Sequence, residues 1–167
     1  MAEKDTIFSS SVKNTGIFSF SDFYKFCYDW LTEETELEIE ESKYKEKLTG
    51  TSKFIDIEWN GTREVTDYFK FDIKVEFKIE NMTEVELVKD GVKMKTNKGA
   101  VQVKVKGTLV RDYKGKFETT PFNKFLRSTY ERWVIPSRIE DYEEKLFGDC
   151  DEFLSQVKAF LDLEGKR

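Results

Sequence analysis

The sequence predicts an α+β domain: a strongly curved antiparallel β-meander of about six strands, packed on one face by an N-terminal helix and by C-terminal helices. The first observation behind this is the stretch Glu64–Glu80. Val65, Phe69, Phe71, Ile73, Val75, Phe77 and Ile79 occupy one phase of it, and mostly charged residues occupy the other. Strand side chains point alternately to two faces, so one face is apolar and the other solvated. A strand of that length spans on the order of 55 Å and must twist or bend strongly. The second observation is a series of turn signals between alternating runs, Asn60-Gly61 and Asp90-Gly91 being the strongest. The third is helical spacing of apolar residues on both sides of the strands.

A chain of 167 residues forms one domain, 1–167, with a core that needs no disulfide staples. Fifteen Phe, seven Tyr and three Trp make aromatic packing its main content. Cys27 and Cys150 lie far apart and outside any CxxC pair, so they read as buried free thiols rather than zinc ligands. The N-terminal stretch shows no basic region followed by an apolar run, and no long apolar run follows elsewhere. A cytoplasmic protein without a membrane span is expected.

Taken in order, Thr6–Lys13 reads as a short strand, broken by Asn14-Thr15-Gly16. Ser19 or Ser21 caps a helix over residues 21–34, with Phe20, Phe23, Tyr24, Cys27, Trp30 and Leu31 on its apolar face. Phe26 and Tyr28 lie off that stripe, at a second contact or at the surface. Leu37 and Ile39 then alternate with glutamates, while Tyr44 and Leu48 fall on the opposite parity. A bulge near Glu41–Lys43 reconciles the two halves. Gly50-Thr51-Ser52 turns the chain, and Ile55, Ile57 and Trp59 line the next strand. Asn60-Gly61 turns it into the long strand, and Asn81-Met82-Thr83 closes that strand. Further short strands follow around Asp90-Gly91 and Asn97-Lys98-Gly99. Val101, Val103, Val105 and Leu109 line the last one, with Gly107 on the same inward phase as the mark of a bulge or a close helix contact.

Thr120-Pro121 opens an amphipathic helix carrying Phe122, Phe125, Leu126, Tyr130, Trp133 and Val134 to about Ile135. Pro136 stops it, and the box Ser137–Glu140 starts the next helix. Its stripe runs through Ile139, Tyr142, Leu146, Cys150, Phe153, Leu154, Val157, Phe160 and Leu161, with a kink, or a division into two helices, expected at Gly148-Asp149.

The order of elements at residues 6–13, 21–34, 36–112 and 138–163 resembles the helix-grip fold of the START and Bet v 1-like superfamily. The resemblance is one of element order over most of the chain, and the helix at 121–135 is an addition to that pattern. It implies an apolar ligand pocket between sheet and terminal helix. Trp59, Phe69, Phe71, Phe77, Val103, Phe153 and Phe160 would line such a pocket. The simpler outcome is that these side chains fill the core.

Chemistry is sparsely signalled. Without histidine the chain lacks the commonest general base and imidazole ligands, and no phosphate-binding glycine loop occurs. Asp67, in phase with Phe69, is the best carboxylate candidate, and Arg111, in phase with Leu109, is its prospective partner. The inventory points away from catalysis and implies no cofactor or metal. Charge is more informative. Lys89–Lys116 carries a net +7, Glu140–Glu164 a net −7 and Glu33–Glu46 a net −5. Lys93, Lys95, Lys104 and Lys106 read as a basic sheet face that could attract an acidic protein, a second copy, anionic lipid or nucleic acid. Nucleic acid is disfavoured because aliphatics, not stacking aromatics, separate these lysines.

Two function classes follow. One is a non-catalytic binding module for an apolar small molecule or lipid. The other is a protein-interaction or assembly module using opposed acidic and basic surfaces.

Overall fold

The structure, a computed structural model, describes residues 3–115, 120–134 and 136–165. Five antiparallel strands form one open sheet: β1 (Glu3–Phe18), β2 (Glu38–Thr49), β3 (Ser52–Glu64), β4 (Phe69–Lys89) and β5 (Val92–Arg111). Their order is β1-β5-β4-β3-β2, so β2 to β5 form a meander and β1 pairs with β5 at the far edge. Helices α1 (Phe20–Glu33), α2 (Pro121–Thr129) and α3 (Pro136–Gly165) complete the α+β fold, with a single π-helical turn, Tyr130–Val134, after α2.

Among the described residues there are five strands rather than six, because several turn signals lie inside strands. Asn60 and Gly61 stay in β3, opposite Lys74 and Ile73. Leu37 and Ile39 side chains come within 3.1 Å of where a Gly61 Cβ would stand. This glycine therefore admits neighbouring aliphatics instead of turning the chain. The turn comes later, where the N–H groups of Val65 and Thr66 donate to the Phe69 carbonyl and Thr66 Oγ1 accepts from Tyr68 and Phe69. The long strand thus begins at Phe69, and Val65 and Asp67 belong to the turn. Asn97, Lys98 and Gly99 likewise remain extended in β5. There Asn97 Oδ1 accepts from the Phe20 N–H at 3.0 Å. Asn81 marks a bulge, with a register shift between Glu80 and Thr83, rather than the end of β4. Nor does Gly16 break β1, which runs on to Phe18.

Other signals are realised. Asp90 and Gly91 both take positive φ, 53° and 76°, as a tight hairpin turn requires. The register of β2 shifts between Glu41 and Lys43, which returns Tyr44 to the phase of Ile39. Ser19 Oγ accepts from the Asp22 N–H and caps α1, which buries Phe23, Cys27 and Leu31. Phe26 reaches a second contact, stacking on Phe160 with centroids 4.8 Å apart.

The helix is not divided at Gly148: α3 is one helix that starts at Pro136, with Ser137 inside it. A helical glycine costs about 1 kcal/mol. Leu146, Cys150, Phe153 and Val157 are all buried along the same helix, and each contributes roughly 1.5–3 kcal/mol when fully buried. Packing therefore overrides the glycine, and a Lys145–Asp149 ion pair at 2.9 Å spans the position. Ile135, the expected end of the preceding helix, lies outside the described residues.

Cys27 and Cys150 are buried free thiols. Burial pushes Cys150 from 9.0 up to about 12 and Cys27 well above its usual value. The folded state then holds these protons more tightly than the unfolded chain. That contribution is complete below the unfolded value near 8.5 and is lost as pH rises toward 12. The urea midpoint is expected to fall over this window, and Cys27→Ala/Cys150→Ala should show a shallower fall. Parallel profiles would contradict the assignment.

Candidate functional site

The end of the sheet where β1 starts and β5 finishes carries the most unusual arrangement of the molecule. Thr120 Oγ1 accepts from the Asn123 N–H at 3.1 Å and caps α2, with Pro121 at the first position. Spacing puts Phe122, Phe125, Leu126, Tyr130 and Trp133 on one stripe. On a surface helix such a stripe ordinarily faces the core. Here it faces outward: Phe122 is 66% exposed, Phe125 64% and Trp133 72%.

The polar side of the helix faces in. Arg127 and Glu131 side chains are only 12% and 14% exposed. Arg127 is held between Glu3 at 3.0 Å and Asp112 at 3.6 Å. Glu131 accepts from Arg111 at 2.7 Å and from the Tyr68 hydroxyl. Arg111 also donates to Asp5 at 2.7 Å. Burial, and then the bond to Glu131, push the Tyr68 phenol well up. Charges removed from water are costly unless paired, and turning α2 to bury its stripe would break several of these pairs at once. These pairs hold the helix with its apolar side to solvent.

The expected Asp67–Arg111 pair does not form. Asp67 sits in the turn before β4 rather than on a strand phase, and it pairs with Lys114 at 3.1 Å. Arg111 turns to Asp5 and Glu131 instead. The structure does bring Trp59, Phe71, Phe77, Val103 and Phe153 together, each 5% exposed or less, as one packed layer in which Trp59 and Phe77 rings meet at 4.7 Å. Phe160 is half-buried beside Phe26 and Phe23. Recesses of about 290–480 Å³ indent the surface among the described residues. Of the pocket candidates, Asp67 and Phe69 line a recess of about 290 Å³ shared with Tyr68, Tyr130, Arg138 and Tyr142.

The four lysines do not share a face. Because β5 runs unbroken, steps of two from buried Val103 and Val101 lead to Lys95 and Lys93. Lys104 and Lys106 have the opposite parity, where they stand across from Glu76 and Lys74. Lys95 is paired with Glu84 at 3.5 Å. Acids stand across from Lys95 (Glu86) and Lys104 (Glu76), as on a solvated sheet surface, whereas Lys93 faces Val88 and Lys106 faces another lysine.

Sequence reasoning identifies the α2 stripe but not its direction. A usable signal was present: residues 120–138 carry Lys124, Arg127, Arg132 and Arg138 against Glu131 alone, in a chain of net charge −5. No protein-family model matches the chain, and no curated protein matches it.

Proposed function

We propose that the protein is a non-catalytic docking module whose binding surface is the apolar stripe of α2 and the turn after it. The observation that carries this reading is the inverted helix: Phe122, Phe125, Leu126 and Trp133 exposed, Arg127 and Glu131 clamped beneath. Each such side chain contributes up to about 1.5–3 kcal/mol on full burial, so occupation of the stripe offsets a large part of the cost of association.

An internal apolar ligand, as the helix-grip resemblance implies, is the second reading. The recess lined by Phe69, Tyr68, Tyr130 and Tyr142 is the feature that favours it.

The variant Phe122→Ser/Phe125→Ser/Trp133→Ser tests the docking surface. Exposed substitutions cost about 0.5 kcal/mol or less each, so its urea midpoint should stay close to that of the parent. Binding of a hydrophobic dye to the native protein should drop sharply. A loss of several kcal/mol would mean that the stripe is packed in solution, and the reading would fail. A native mass spectrum with an added small mass lost on denaturation would favour the internal ligand.

A further inference from the structure

We propose that the occupant of the α2 stripe is an anionic lipid surface, an inference that rests on the docking reading above. The first argument is charge. Lys124, Arg132 and Arg138 are exposed around the stripe. The one acid of residues 120–138, Glu131, is turned inward onto Arg111. The outer side of this segment is therefore cationic only, whereas the rest of the chain carries the acidic excess. An anionic plane is thus attracted to the cationic rim around the stripe.

The second argument is size and shape. Partly exposed, four large apolar side chains offer on the order of 400–500 Å². A stable protein–protein contact takes about 800 Å² from each partner. Peripheral membrane attachment needs less, because a few aromatic anchors act together with basic residues at the headgroups. A helix of nine residues is about 14 Å long, roughly half the hydrocarbon thickness, so it lies in the interface plane and does not span. The Arg132 guanidinium stands over the Trp133 ring, 5.3 Å from its centroid. This pair suits the interface, with the indole at headgroup level and the cation at phosphate. Face-to-face pairing with a second copy would instead press two cationic rims together.

The test uses the full chain and large vesicles of phosphatidylcholine, with or without about one-third phosphatidylglycerol. Co-sedimentation and tryptophan emission are read together. Trp59 is fully buried and Trp30 is half-buried against Phe153 of the core, which leaves Trp133 as the main reporter of transfer. Each basic residue contributes about fivefold to partitioning at an anionic surface. Binding to the anionic vesicles is expected to be on the order of 100-fold tighter than to the neutral ones, with a blue shift, and to be reversed by salt. Phe125→Ser/Trp133→Ser and Lys124→Glu/Arg132→Glu/Arg138→Glu should each lose it. Equal binding to both vesicle types, no sedimentation, or binding retained by both variants overturns the proposal. Salt-sensitive dimers abolished by the same variants would overturn it in favour of a second copy. If vesicles fail while the hydrophobic dye still reports the stripe, only the lipid assignment falls. If the dye fails too, the docking reading falls with it.

Discussion

Arg111→Ala is expected to destabilise the fold by about 2–3 kcal/mol, among the largest effects of any single side chain outside the aromatic core. Arg111 bridges Asp5 and Glu131, at 2.7 Å each, and is only 17% exposed. Its removal leaves Glu131 in a water-poor position with the Tyr68 hydroxyl as its remaining observed partner. Breaking a well-buried pair costs about 3–5 kcal/mol, and the exposure of Asp5 lowers the figure here. Arg111→Lys keeps the charge but not the fork that reaches two carboxylates, so it should fall between wild type and alanine. Pairing Arg111→Ala with Glu131→Gln should recover part of the loss, because the stranded charge goes too. Urea midpoints of the four proteins decide it. Arg111→Ala at the wild-type midpoint would mean that α2 is held by something other than this network.

Gly107→Val should be at least as costly. A Cβ at this position would stand 2.7 Å from Cys150 Sγ and 3.4 Å from Leu146 Cγ. Neither neighbour can yield toward solvent, since Leu146 and Cys150 are at most 1% exposed. Overpacking a tight core costs about 1–3 kcal/mol, and Val adds two methyl groups beyond the clashing carbon. Gly107→Ala is expected near the lower end of that range, at about 1–2 kcal/mol. Removing the sulfur is the control: Gly107→Ala/Cys150→Ala should be more stable than Gly107→Ala alone, a non-additivity that only direct contact produces. Additive losses would show that the helix does not press on β5 there.

These two sites differ in how far the sequence reveals them. Gly107 is legible because a missing side chain on an inward strand phase has few explanations, and a helix pressed against the strand is one of them. The bulge at Glu41–Lys43 is legible for a similar reason, as a change of parity in the apolar pattern. Arg111 is legible as an inward polar residue, but its partners are not. Asp5 and Glu131 reach it only through the β1–β5 pairing and the placement of α2, which no local pattern encodes. Asn60-Gly61 misleads because turn chemistry is a local preference. The ladder to β4 and the aliphatics over Gly61 outweigh it. The same error at Asn97–Gly99 misplaces Lys93 and Lys95, since a strand that continues carries its parity with it. For α2, periodicity defines two faces and leaves open which one the fold will claim.

The placement of β1 has a kinetic side. Its only neighbour in the sheet is β5, although β2, β3 and β4 all intervene in the chain. Adjacent strands of the meander can zip from their turns, each closing a short loop. The β1–β5 ladder must close a long one, and loop entropy is lost before any bond repays it. A free β1 edge therefore persists while the meander assembles, and α3, which rests on β1 and β5, cannot dock until that ladder exists. The slowest step of folding is expected to be the arrival of the earliest strand at its place.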